Sequence, residues 1–315
     1  MTRRILFRVE GNELVGHGHF MRCLSIADYL MGSHKCVFAV SNPSALVMHE
    51  LQMRAIELYR TPSAGQFHPD DKSSSENWAY DLAGFAQEGD LLFLDGYRFD
   101  NSFMKRITEK GGKVIRVQDE FNSKVDYHGI VTPLPISSSE IEPLIGQSKL
   151  WSGLDGFLIR RAFYKPAQSK LPIVFDWFIY VSSPKSLKFY IESAALEGQR
   201  VMALTLPPFE SACKEQLWNT MVAPDVNILV DNMRSAANAL IPASTVAIEY
   251  LVATNRTPFV QSFAKNQNSA IKHFKRLGWW KLYSPETIEN QDNIKFNLVA
   301  ESPEVKFKHW INERF

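Results

Sequence analysis

The chain predicts an α/β fold of two Rossmann-like domains, and three observations carry that expectation. Short β-rich runs alternate with helix-period segments through both halves, the pattern of a parallel sheet covered on both faces. The 315 residues suffice for two separate hydrophobic cores. Between the halves the texture changes: Pro133, Pro135 and the run Ser137-Ser138-Ser139 open a stretch of weak periodicity that continues to Pro166 and Pro172. The boundary is placed within 165–175, giving a first domain of 1–168 and a second of 169–315, with the last helix a candidate to pack back on the first.

In the first half the strand candidates are Ile5–Val9, Cys36–Val40, Ile56–Tyr59, Leu91–Leu94, Val114–Val117 and Gly129–Val131. A helix follows the first of them, because Phe20, Cys23, Leu24, Ala27, Leu30 and Met31 recur at i, i+3 and i+4. Gly111-Gly112 is a stop signal ahead of the strand at Val114. In the second half the strand candidates are Trp177–Val181, Val201–Leu206, Val226–Val230, Leu240–Ile241, Pro258–Gln261 and Trp280–Tyr283, with a final helix over 302–313.

Composition narrows the function classes. The hydrophobic share is 45%, the charged share 22% and the formal net charge +1, with no block of like charge. Electrostatic capture of nucleic acid or an anionic membrane is therefore not expected. No run of 18 apolar residues is present, and the opening Met1-Thr-Arg-Arg-Ile-Leu-Phe7 leads into a strand rather than a signal peptide. Cys23, Cys36 and Cys213 show no paired spacing and read as small buried residues of a reducing, cytoplasmic compartment. No GxSxG, Walker, HExxH or paired-cysteine pattern occurs, so no metal or cofactor is expected.

Several segments can carry chemistry. Gly16-His17-Gly18-His19 lies between a strand and a helix, where free N–H groups and the helix dipole favour anions. His19 is a candidate base, Arg22 one turn on a candidate anion partner, and His17 and Gly18 candidate substrate contacts; such turns also serve with no ligand at all. Leu91-Leu-Phe-Leu-Asp95-Gly96-Tyr97 puts Asp95 and Tyr97 beyond a strand's carboxyl end, where open parallel sheets bind ligands. Asp119 and Glu120 repeat that placement one strand later and read as loop or capping acids. Ser244 and Thr245 open an apolar helix in a manner that suits a diphosphate, with Glu249 one turn on able to accept ribose hydroxyls. Asn266 and Gln267 occupy another strand-to-helix turn.

Taken in order, these segments resemble the PseG/SpsG-like UDP-sugar hydrolases, which are related to MurG-type glycosyltransferases of the GT-B fold. The resemblance rests on Arg8, Val15–Ala27, Leu94-Asp-Gly-Tyr97 and Gln118-Asp-Glu120. It continues through Trp151–Phe163, Ala243-Ser-Thr with Glu249, Pro258 and Ala264–Gln267. It implies two Rossmann-like domains with the site between them. It further implies metal-independent release of UDP from a UDP-linked 2,4-diacetamido-2,4,6-trideoxyhexose, in nonulosonate or surface-polysaccharide synthesis. His19 would activate water for inverting attack at the anomeric carbon, with Asp95 and Tyr97 beside it. Ser244, Thr245 and Glu249 would serve phosphate and ribose, and Asn266 and Gln267 would line the cleft. A GT-B glycosyltransferase using a UDP-sugar donor, or a non-catalytic nucleotide-sugar-binding homologue, are the rival readings. The chain departs from the family pattern at Val181-Ser-Ser-Pro-Lys-Ser186, where a glycine-rich turn is usual, and at Ala243, where glycine is usual.

Overall fold

The computed structural model describes residues 3–11, 17–61, 85–96, 105, 107–121, 127–165, 171–222, 224–265, 267–284 and 302–315. Two compact units emerge, Met1–Leu158 with Pro303–Phe315, and Ile159–Ser302. Residues 166–170, within the stretch expected to link the domains, lie outside the described residues.

Among the described residues of the first unit, seven strands form one sheet: β1 (Arg4–Val9), β2 (Lys35–Val40), β3 (Glu57–Arg60), β4 (Leu91–Asp95), β5 (Lys113–Val117), β6 (Gly129–Val131) and β7 (Lys149–Trp151). Their order is β3-β2-β1-β4-β5-β6-β7. Every pairing is parallel. Parallel strands covered on both faces must be apolar throughout, and β1 and β2 each bury five consecutive residues. Phe7 stacks on Phe38 and Phe93 from the neighbouring strands, with centroids 4.8 and 5.0 Å apart.

The helices α1 (Gly18–Leu30), α2 (Ala45–Met53) and α3 (Ser138–Ile145) belong to this unit. So does the chain's last helix, whose Phe307 and Ile311 sit in the first unit's core. That helix meets Trp151 with ring centroids 5.0 Å apart. Close approach explains two glycines here. A Cβ at Gly129 would lie 2.5 Å from the Phe315 ring, and Gly156, at φ +128, would meet Pro303 at 2.6 Å.

The second unit carries a six-stranded parallel sheet, ordered β10-β9-β8-β11-β12-β13. Its strands are β8 (Phe175–Val181), β9 (Val201–Thr205), β10 (Asn219–Val222), β11 (Ala236–Pro242), β12 (Phe259–Gln261) and β13 (Lys281–Leu282). Its helices are α4 (Pro184–Ile191), α5 (Glu210–Glu215), α6 (Val226–Arg234), α7 (Thr245–Thr254) and α8 (Gln267–Arg276), after which α9 (Glu304–Arg314) returns to the first unit.

Sequence and structure differ at Val226–Val230, which is the start of helix α6 and not a strand. Asp225 caps it by accepting from the Asn227 N–H, and Leu229, Val230 and Met233 bury at helical spacing while Ile228 faces water. Capping and period outweigh the β preference of a Val/Ile run. The strand of that region is the earlier β10. The weakly periodic 133–175 stretch also holds regular elements, α3, β7 and a 3₁₀ turn at Arg161–Tyr164. Among the described residues no helix is long and apolar enough to cross a membrane.

Candidate active site

In each sheet the strand order reverses once, between β1 and β4 and between β8 and β11. Ligands of open α/β sheets bind beyond the strands' carboxyl ends at such reversals. Val9, the last residue of β1, pairs with Asp95, the last of β4, and Asp95 pairs in turn with Val117 of β5. The N-terminus of α1, which follows β1, is thereby brought to Asp95.

Four donors converge on the Asp95 carboxylate, which has no solvent exposure. His19 Nδ1 lies 2.7 Å from Oδ1. Arg22 closes a fork, Nε donating to Oδ2 at 2.7 Å and Nη2 to Oδ1 at 2.6 Å. The Cys23 thiol donates to Oδ2 at 3.6 Å. Burial by itself would raise the Asp95 carboxyl, but Arg22 and then His19 hold it well below the usual carboxylate range. Burial likewise opposes the charge of Arg22, and Asp95 and Asp119 more than restore it. Burial, reinforced by Asp95, pushes the Cys23 thiol well up, so it is a donor here and not a nucleophile.

These contacts fix the imidazole tautomer. A carboxylate only accepts, so Nδ1 at 2.7 Å must carry the proton and donate it. The basic nitrogen of the neutral ring is then Nε2. His19 is 17% exposed at its side chain, enough for a reactant to reach it.

The other sequence candidates of this unit fall into place differently. His17 occupies the N-cap position of α1 without capping it, and its Nε2 meets Ser44 Oγ at 2.9 Å. Ser44 in turn caps α2, so His17 joins the starts of the two helices. Gly18 begins α1, and a Cβ there would meet nothing within 4 Å. All three nitrogens of the Arg22 guanidinium face side chains of this cluster, the third, Nη1, donating to Asp119 Oδ2 at 3.1 Å. Asp119, read from the sequence as a loop or capping acid, is thus a member of the cluster. Its signal was its place just past β5, the strand beside β4. Arg116 was also missed: it is buried, donates to the Gly96 carbonyl, and burial lowers its guanidinium below the usual value. Tyr97 lies outside the described residues.

In the second unit α7 follows β11 at the sheet's reversal. Ser244 is its N-cap residue, with extended backbone and no side-chain capping bond, and Ser244 and Thr245 are both partly exposed. Glu249, buried one turn on, receives a bidentate pair from Arg160, with both N–O distances 2.9 Å. Arg160 also lies over the Phe163 ring, 4.8 Å from its centroid. Each carboxylate oxygen keeps a second acceptor site. Gln267 Oε1 accepts from the Phe263 N–H at 2.7 Å, and Asn266 lies outside the described residues.

The turn at 181–186 closes on itself. Ser186, fully buried, accepts from the Ser182 and Ser183 N–H groups at 3.1 and 3.0 Å and donates to Ser183 O at 2.8 Å. A side-chain oxygen stands where a glycine-rich turn would leave N–H groups open to a phosphate. Among the described residues no group of three His, Cys, Asp or Glu side chains is placed to hold a metal ion.

No family model and no curated protein matches the chain. Solved structures do resemble it. Acinetobacter baumannii MurG aligns with TM-score 0.54 at 10% identity, over 99% of this chain and 91% of its own. Arabidopsis thaliana UGT89C1, in complex with UDP-L-rhamnose, aligns with TM-score 0.58 at 11% identity, over 99% and 94%. TcCGT1, in complex with UDP, aligns with TM-score 0.57 at 11% identity, over 98% and 92%. With its two parallel α/β sheets, the chain has the GT-B fold of two Rossmann-like domains.

Proposed function

We propose that the protein is a GT-B enzyme that transfers a glycosyl group from a UDP-sugar, with His19 as the base. The observation that carries this reading is the His19–Asp95 pair, in which Nδ1–H donates to a buried, ionised carboxylate, so that Nε2 is the nitrogen of the neutral tautomer that can accept a proton. Nε2 takes the proton of an acceptor O–H, the oxygen bonds to the anomeric carbon, and the sugar–phosphate bond breaks with its electron pair leaving on UDP. A single displacement of this kind inverts the anomeric centre. The open N-terminus of α7 has the chemistry to stabilise a departing diphosphate, and Glu249 retains acceptor sites for hydroxyls. UGT89C1 with UDP-L-rhamnose and TcCGT1 with UDP share the fold and support the choice of nucleotide. Three free, buried cysteines suit a reducing compartment, the cytoplasm.

A second reading is hydrolysis, with water as acceptor and a diacetamido-trideoxyhexose as the sugar. It is favoured by the ordered motif resemblance from Val15–Ala27 through Ala264–Gln267. Incubation with a panel of UDP-sugars separates the two. UDP release that needs an added hydroxyl or amine acceptor supports transfer, and equal release in buffer alone supports hydrolysis. No release from any UDP-sugar, with UDP still raising the melting temperature, would leave only a binding role.

A further inference from the structure

The fork of Arg22 on Asp95, and the hold of Asp119 on Arg22, engage each guanidinium nitrogen within the cluster. We propose that Arg22 and Asp119 are positioning residues for His19: they hold the Asp95 carboxylate that accepts from Nδ1 and form an alternating chain of charges that offsets it beside the ring. This deepens the reading of His19 as the base and rests on it.

The geometry runs in one line. His19 and Arg22 stand three residues apart on α1, hence on one face. His19 Nδ1 and Arg22 Nη2 both reach Asp95 Oδ1, and the two nitrogens are 3.2 Å apart. An isolated buried carboxylate beside an imidazole would draw a second proton onto the ring, because it lacks any other counter-charge. Arg22 supplies that counter-charge through two short bonds and cannot itself lose its proton. Its Nε also takes up Oδ2 together with the Cys23 thiol, while His19 shares Oδ1 with Nη2. Asp119, at 3.1 Å from Nη1, anchors the far side of the guanidinium and balances it.

Among the described residues, charged and titratable groups reach this cluster from three elements. Asp95 belongs to β4, Arg22 and Cys23 to α1, and Arg116 to β5, with Asp119 just beyond it. Arg116 stands within electrostatic reach of Tyr127, Asp95, Arg22 and Asp119. Among the described residues named here, the carboxylates of Asp95 and Asp119 alternate with the guanidiniums of Arg22 and Arg116. The thiol of Cys23 is uncharged, since burial and Asp95 push it up.

The test is a pH titration of the His19 ring by NMR of the full chain, its signal assigned by its loss in His19→Gln. Arg22→Gln should move the midpoint of proton uptake up by about one to three pH units, since it removes a positive charge within ~4 Å. Arg22→Lys, which keeps the charge but not the fork, should stay within about half a unit of wild type. Asp119→Asn should move the midpoint down, by less than Arg22→Gln moves it up. A midpoint that is unmoved in Arg22→Gln, or one that moves as far in Arg22→Lys, overturns the proposal. Should Arg22→Gln fail to fold, Asp119→Asn decides: a downward shift supports the charge chain, and an unmoved midpoint refutes it. The ring is read without turnover, so failure to find any UDP-sugar substrate would overturn the functional reading and leave this result standing.

Discussion

Replacing Asp95 by Asn removes one charge at nearly constant shape, and the structure sets the size of the effect. The carboxylate accepts from Arg22 Nε and Nη2, His19 Nδ1 and Cys23 Sγ, with no exposure to water. An asparagine offers one oxygen, and its amide nitrogen must point a donor at donors on the other side. Arg22 is then left buried with Asp119 as its remaining carboxylate partner among the contacts described above. Breaking a buried charge pair from one side costs about 3–5 kcal/mol. Chemical denaturation, with hydrogen exchange read on the β1 and β4 peptides, assigns the loss to the first unit. The pH dependence has a definite sign. The folded Asp95 is held below its unfolded value of about 4, so its stabilisation is full above about pH 4. It is lost as the pH falls through the depressed folded value. The gap between wild type and Asp95→Asn should therefore be full at pH 7 and pH 5 and narrow below about pH 4. A difference under about 1 kcal/mol at pH 7, or an equal difference at pH 7 and pH 3, would refute the reasoning.

Three further outcomes follow from the same contacts. Ser186→Ala should cost the second unit about 1–3 kcal/mol in urea unfolding, because the Ser182 and Ser183 N–H groups lose their acceptor. Phe307→Ala should cost the first unit about 3–5 kcal/mol, although position 307 lies far along the chain from that unit's other residues, and hydrogen exchange around Trp151 should rise with it. The three cysteines should resist a thiol-specific disulfide reagent at pH 8 in the folded protein and react on unfolding, since all are buried and the Cys36 thiol is pushed up to about 12.

The parallel sheets were legible because apolar runs such as Ile5–Val9 and Leu91–Leu94 state full burial directly. The helix after β1 was legible through its period, and Asp95 through its place at a strand end. What was not legible depended on partners distant in sequence. Arg22 looks like an anion ligand until β4 and β5 bring Asp95 and Asp119 to it, across separations of 73 and 97 residues. Glu249 shows no sign of Arg160 in its own segment, 89 residues away. At Val226–Val230 composition favoured a strand, while the cap at Asp225 and a 3.6-residue burial period decided for helix. Gly153 and Gly156 sit in a segment with no clear period, because what they serve is close approach, to the Pro133 carbonyl and to Pro303.

The central claim is that His19 takes the acceptor's proton, and His19→Ala tests it most directly. UDP release from the best UDP-sugar of the panel should fall on the order of 10²–10⁴-fold, with the urea midpoint little changed. Turnover within a few-fold of wild type would remove His19 from the mechanism and with it the reading of the Asp95 cluster as an active site.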